Sequence, residues 1–444
     1  MAAGNVQTEP RALSGLGQRL RELRSAAGLT QTQLASGRFS KEYISQIERG
    51  KTRPTGETLH WLAERLGVDS GFLLGGLSTA ERARLEVGLA RAEAASEAHR
   101  EEDAIAEFQR VRAAVRGGAV ADLEFRALVG EAWSRMALGE VAGAIDQLNE
   151  ARGLAESSDF TDVERADVLF RLGVARYKLS SISTAQALFG EALKLAERSG
   201  LPCDLLRANI LGWRSRCYRR ERDWEAARED VQRALELAGH VNDHRLAAET
   251  HFQASVIAER EGNWVLARRY AERAKALYEE LSDRENVGRL LNNLGAFTYE
   301  LGDPEAAVAY MTEGFRIALE LGNDADAGQC VNSIAETRLG TGDYAQAEHH
   351  ARHALELLGE RVDYLQEIGV AQLTLGRALL EQDHPNEAEE TLRAADRSFE
   401  QLSSVSHRAA AWVALGDLAA RRGDDRESAR QYRRAAEALQ DFRF

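Results

Sequence analysis

The sequence predicts an all-α protein: a small basic helical head followed by a long array of paired helices. Three observations lead there. Only five prolines occur in 444 residues, and no long β-branched run interrupts the helical patterning. A small residue recurs at Ala104, Ala144, Ala185, Ala227, Ala267, Ala307, Ala347, Ala388 and Ser428, with successive gaps of 40, 41, 42, 40, 40, 40, 41 and 40. The charge also changes sign along the chain. Residues 11–68 hold ten Lys/Arg against five Asp/Glu, a net of +5, so the remainder carries −19 of the total −14.

The head reads as four or five short helices within residues 11–76, preceded by a disordered arm, 1–10. Leu16, Leu20 and Leu23 repeat at spacings of four and three, an amphipathic helix ending at Gly28. Thr30 is an N-cap for QTQLA, a helix of about two turns. Ser40 caps the next helix, with Phe39 and Ile44 at the spacing of a hydrophobic staple. Gly50 stops it and Pro54 prevents its resuming. A fourth helix spans about Gly56 to Leu66, with Leu59, Leu62, Ala63 and Leu66 on its inner face.

In the helix beginning at Lys41, Ile44 and Ile47 form an apolar back, so Lys41, Glu42, Ser45, Gln46 and Arg49 project outward. Such a polar front suits a DNA major groove, and Lys51 and Arg53 follow where cations grip phosphates. The plainer reading is a solvated helix face.

The array reads as stacked helical hairpins over residues 77–444, opened by the capping box Ser78–Glu81 after Gly75–Gly76. Four residues after each small position comes a larger apolar group in most repeats: Phe108, Leu148, Phe189, Val231, Met311, Leu392, Tyr432. Turns such as EGNW, LGDP, TGDY and RGDD precede the second helices at equivalent points.

Several classes drop out of consideration. No run of about 18 apolar residues exists, so no membrane span is expected. The N-terminus lacks the pattern of a secretory signal. Cys203, Cys217 and Cys330 have no CxxC spacing and read as reduced thiols of a cytoplasmic protein. In HHARH (His349, His350, His353), His349 and His353 could share a helical face, but they lie on a second helix with no evident third metal ligand, and no catalytic signature stands out. Neither cofactor, metal nor enzymatic activity is expected.

The segments LRELRSAAGLTQTQLA, FSKEYISQIERGKTRP and LAERLGV resemble, in order and over about 60 residues, the Cro/repressor-type (XRE family) helix-turn-helix regulators. The resemblance implies DNA base contacts by Lys41, Glu42, Ser45 and Gln46. It implies phosphate contacts by Gln31, Ser40, Arg49, Lys51 and Arg53, and a structural ion pair between Arg24 and Glu48. One departure is that LASGRFS is a residue shorter than the family's usual turn, which bears on the aim of Lys41 and Glu42.

The pattern NNLGAFTYELGDPEAAVAYMTEGF and its copies resemble the tetratricopeptide repeat family over roughly residues 80 to 440, as a right-handed superhelix of about nine hairpins. The period near 40 exceeds the usual one of about 34, so longer helices are expected. Family groove positions place Asn209, Arg216, Arg289, Asn292, Gln329 and Asn332 on one ligand-binding surface, where Asn amides suit a peptide backbone and Arg suits a carboxylate. Together the two resemblances imply a bacterial cytoplasmic regulator similar to quorum-sensing proteins, a homodimer binding double-stranded DNA under control of a peptide or other small ligand. The alternative is a DNA-binding regulator whose repeats dock another protein.

Overall fold

The computed structural model describes residues 11–115, 120–157, 159–241, 243–359, 361–402 and 404–440. The expected arm, 1–10, lies outside them. Among the described residues the chain forms 23 α-helices and one 3₁₀ turn, with no strand.

Five helices build the head: α1 (Arg11–Ala26), α2 (Gln31–Ala35), α3 (Lys41–Glu48), α4 (Gly56–Leu66) and α5 (Ser70–Gly75). The caps read from sequence are present. Thr30 and Gln33 form a capping box on α2, and the Ser40 hydroxyl accepts from the Tyr43 amide. Leu16, Leu20, Leu34, Ile44, Ile47, Leu62 and Leu73 close one core, with Phe39 packed against it. Glycine is required at Gly17, because a Cβ there would stand 2.6 Å from the Glu48 carbonyl oxygen, where α1 crosses the end of α3.

Asp69 joins the head to the array. Its Oδ1 accepts from the Gly71 amide at 2.8 Å and the Phe72 amide at 3.2 Å, capping α5. It also accepts from the Thr79 amide at 2.9 Å, at the start of α6 (Thr79–Glu97). These bonds, led by that from Thr79, hold its carboxyl below the usual range. One carboxylate therefore ties two helix starts together across the Gly75–Gly76 break.

The chain divides into two compact units, after Asp230. The first holds the head, then α6 with α7 (Glu101–Val115), α8 (Ala121–Ala137) with α9 (Val141–Ala155), α10 (Asp162–Lys178) with α11 (Ile182–Arg198), and α12 (Asp204–Glu221). The division falls inside α13 (Trp224–His240). The second holds α14 (His244–Arg260) with α15 (Trp264–Glu280), α16 (Arg284–Glu300) with α17 (Pro304–Glu320), and α18 (Asp324–Gly340) with α19 (Tyr344–Leu358). It ends with α20 (Leu365–Glu381) with α21 (Pro385–Gln401), and α22 (Val405–Arg421) with α23 (Asp425–Gln440). Most array helices have 17 residues, about 25 Å at 1.5 Å per residue, which accounts for the long period.

Within each unit the first helices of successive hairpins pack on one another, α6 on α8 on α10 on α12, and α16 on α18 on α20 on α22. The second helices pack outside them, each against its own first helix and the next, as α9 does with α8 and α10. First helices therefore form an inner layer.

The recurring small residues are buried, and in several repeats the structure supplies a partner the sequence pattern did not reveal. In four hairpins the large residue four positions later lies on a glycine of the preceding helix. A Cβ on Gly173 would meet the Phe189 ring at 2.5 Å, on Gly295 Met311 at 2.6 Å, on Gly376 Leu392 at 2.6 Å, and on Gly416 Tyr432 at 2.7 Å. Knob and notch together fix the hairpin crossing.

Candidate functional site

The front of α3 is built by capping at both ends. Ser40 starts the helix in the expected frame, although Ser36 (φ 44°) and Gly37 (φ 77°) must both turn left-handed to shorten the preceding loop. At the far end Gly50 (φ 69°) lets its own amide donate to the Ile47 carbonyl at 2.9 Å, while the Lys51 amide donates to the Gln46 carbonyl at 2.8 Å. This turn aims Lys51 and Arg53 past the helix end, and buried Pro54 precedes the start of α4.

Ile44 and Ile47 are buried, whereas Ser40, Lys41, Glu42, Gln46, Arg49, Lys51 and Arg53 are exposed and Ser45 is half-buried. The Gln46 carbonyl oxygen Oε1 accepts from the Thr52 hydroxyl at 3.0 Å, which orients the amide. Behind this face Glu48 accepts from Arg24 at 2.5 and 3.3 Å and from Gln31 Nε2 at 2.7 Å. The Arg24–Glu48 pair stands as the family resemblance implied. The Gln31 side chain, however, is turned inward to Glu48.

The six groove residues fall in different units and different environments. In the first unit, the Asn209 amide donates to the Leu205 carbonyl of its own helix at 3.0 Å, and the Arg216 guanidinium stacks 4.3 Å from the Trp213 ring. In the second, Gln329 is exposed and Arg289 pairs with Glu285 at 2.6 Å and Asp326 at 2.8 Å. Two of the six are not open to solvent. Asn292 and Asn332 are 8% and 6% exposed, because their positions on α16 and α18 face the seam between packed helices. The Oδ1 atoms of both are buried and have no hydrogen-bond partner.

Tertiary packing sets the environment of several other groups. Glu336 on α18 has an exposed side chain, yet the surrounding protein pushes its carboxyl above the ordinary range, against the pull of Arg377. A side chain recessed in a groove behaves this way: neighbouring atoms displace bulk water without sealing it off. His353 lies edge-on to Phe315 with ring centroids 5.7 Å apart, and His349 and His350 are 5.3 Å apart. Among the described residues no His, Cys, Asp and Glu cluster could hold a metal ion, and no helix is long and apolar enough to cross a membrane.

A five-helix head with a polar α3 face, followed by stacked hairpins, defines a DNA-binding helix-turn-helix regulator carrying a tetratricopeptide array. Residues 15–71 match the helix-turn-helix domain family, and residues 206–280 and 253–320 match the tetratricopeptide repeat family. An uncharacterized HTH-type transcriptional regulator, y4dJ of Sinorhizobium fredii, is 44% identical over 54 residues, 12% of this chain and 70% of that protein. The chain belongs, through its head, to the HTH-type transcriptional regulators. Among solved structures, the apo form of RapI has a TM-score of 0.63 at 13% identity, over 80% of this chain and 97% of that one. The apo form of the quorum sensor NprR from B. thuringiensis has a TM-score of 0.62 at 12% identity, over 80% and 99%. At such identities the likeness shows the fold.

Proposed function

We propose that this regulator, a cytoplasmic homodimer divided near residue 76, senses a short peptide or other small ligand on the inner layer of its repeats. Ligand binding then alters operator binding by the head. The observation that carries the reading is the pair of unpartnered carbonyl oxygens on Asn292 and Asn332, at equivalent positions of successive first helices. A buried acceptor without a donor costs about 1–3 kcal/mol. Two of them one repeat apart match an extended backbone, whose amides offer donors at intervals, once each Asn side chain rotates to meet them. The fold likeness to a quorum sensor supports the same reading.

Asn292→Ala combined with Asn332→Ala is expected to abolish the effect of the low-mass fraction of spent culture medium on operator binding, while the helical content of the apo protein stays unchanged. A response equal to wild type, in calorimetry or reporter output, removes both residues from the site.

Lys41, Glu42, Ser45 and Gln46 are proposed to read base edges, with Ser40, Arg49, Lys51, Arg53 and the Gln31 end of α2 on phosphates. Gln46→Ala should then lower the preference for operator over random DNA by about ten- to a hundredfold, the worth of one good base contact. Lys51→Ala should weaken both DNAs alike and flatten the salt dependence by about one phosphate contact. Equal losses on both DNAs for Gln46→Ala would argue against base reading.

A further inference from the structure

The segment RSRCYRRER, residues 214–222, places five arginines in nine residues of an array that is otherwise strongly acidic. Arg214 is accounted for by a two-pronged ion pair with buried Asp230, both contacts at 2.7 Å. Arg219 and Arg222 are also engaged. Arg216 and Arg220 are different. Many other array arginines in this unit meet carboxylates, as Arg112 and Arg135 do at Glu131, Arg126 at Glu93 and Arg198 at Asp162. Arg216 and Arg220 have no carboxylate partner among the described residues and lie instead against aromatic rings.

The rings come from three successive inner helices. Arg216 stacks on Trp213 at 4.3 Å, Trp213 meets Tyr177 edge-on at 5.5 Å, and Arg220 stacks on Tyr177 at 4.9 Å. On α8, Trp133 remains 36% exposed, with Arg171 stacked on it at 4.7 Å. Arg171 is neutralised by Asp167 at 2.8 Å. Arg220 makes only a long hydrogen bond, 3.4 Å, to the Ser180 hydroxyl. The Arg216 Nε is buried with no partner at all.

We propose that the inner face of α8, α10 and α12 binds a small ligand carrying an oxyanion, carboxylate or phosphate, beside a flat apolar group. A guanidinium stacked on a ring is held in one plane, with its N–H edge directed outward to fork onto two oxygens. Arg216 and Arg220 are four residues apart, so both guanidiniums serve one side of α12. Trp213 and Tyr177, both half-buried, supply apolar ring surface beside the two guanidiniums, against which a planar group gains contact area. Mere coverage of the rings by arginine stems would explain the stacking. It would not explain why these two ring-stacked cations, unlike Arg112, Arg126, Arg135, Arg171 and Arg198, lack an acid partner. The site shares Arg216 with the proposed ligand surface and requires neither a peptide nor the asparagine pair.

Three probes with the same phenyl ring separate the possibilities in calorimetry on the full chain: cinnamate, phenyl phosphate and cinnamyl alcohol. At least one of the two anions is expected to bind about tenfold or more tightly than the alcohol, and the stronger of them identifies carboxylate or phosphate as the natural head group. Arg216→Gln with Arg220→Gln should erase that difference, whereas Arg216→Lys with Arg220→Lys, which keeps the charge but not the fork, should retain part of it. Asn292→Ala with Asn332→Ala should leave probe binding unchanged, so this inference and the peptide reading fail separately. Anions binding no better than the alcohol to the wild-type chain, or a Gln pair that binds them as wild type does, would overturn the proposal.

Discussion

Glu48→Ala is expected to destabilise the head by about 3–5 kcal/mol and to remove operator binding at 37 °C. The Glu48 carboxylate is 4% exposed and the Arg24 side chain 14%, so neither charge can fall back on water. Without Glu48 the Arg24 guanidinium keeps only its bond to the Leu29 carbonyl at 2.7 Å, and the Gln31 amide loses its acceptor. A domain of this size has a total stability of only about 3–9 kcal/mol, so the loss is comparable to the whole. Hydrogen exchange across residues 11–76 of the full chain, with gel-shift titration alongside, measures both effects. Arg24→Met combined with Glu48→Leu should recover much of the stability, since an apolar pair of similar volume removes the stranded charge. If Glu48→Ala exchanges as slowly as wild type, the cluster is an ornament of the fold and the polar front of α3 is held by its caps alone.

A second large effect is expected in the array. Glu131 on α8 is 1% exposed and accepts from Arg112 at 2.7 Å, Arg135 at 3.0 Å and Gln109 at 3.0 Å. Glu131→Ala removes the buried acid shared by Arg112 and Arg135, which keep Glu150 at 3.1 Å and Glu140 at 2.5 Å, and should cost about 1–3 kcal/mol of local stability. The effect depends on pH. Burial alone would raise the Glu131 carboxyl, but the hydrogen bonds from Gln109, Arg112 and Arg135 outweigh it and hold the group below its ordinary value. A lowered folded value stabilises the protein above the unfolded value, about 4.3, and that contribution disappears as pH falls through the folded one. The gap between wild type and Glu131→Ala, followed by urea unfolding of the first unit, should therefore be full at pH 7 and shrink below about pH 4. A gap that stays constant from pH 7 to pH 3 would mean that packing, not charge, sets the loss.

Both clusters show how far local patterning reaches. The alternation of helices, the caps at Thr30, Ser40 and Ser78, and the 40-residue period are decided by residues within four positions of one another or by strict repetition. They can be read along the chain because capping and amphipathic burial are short-range. The polar front of α3 is legible for the same reason: Ile44 and Ile47 choose the buried side, and the outward side follows. The Arg24–Glu48 pair was visible only through family resemblance, since 24 residues separate its members.

The sequence alone therefore determined an all-helical chain with a cationic head, a repeated hairpin and a polar recognition face. Only the tertiary structure decided which side chains meet between repeats. Gly173 receives Phe189, Asp69 ties two helix starts, Asn292 and Asn332 turn into a seam, and Trp213 lies between Tyr177 and Arg216. These outcomes depend on rotamers and crossing angles set by close packing among helices up to about 40 residues apart, where no local periodicity constrains them.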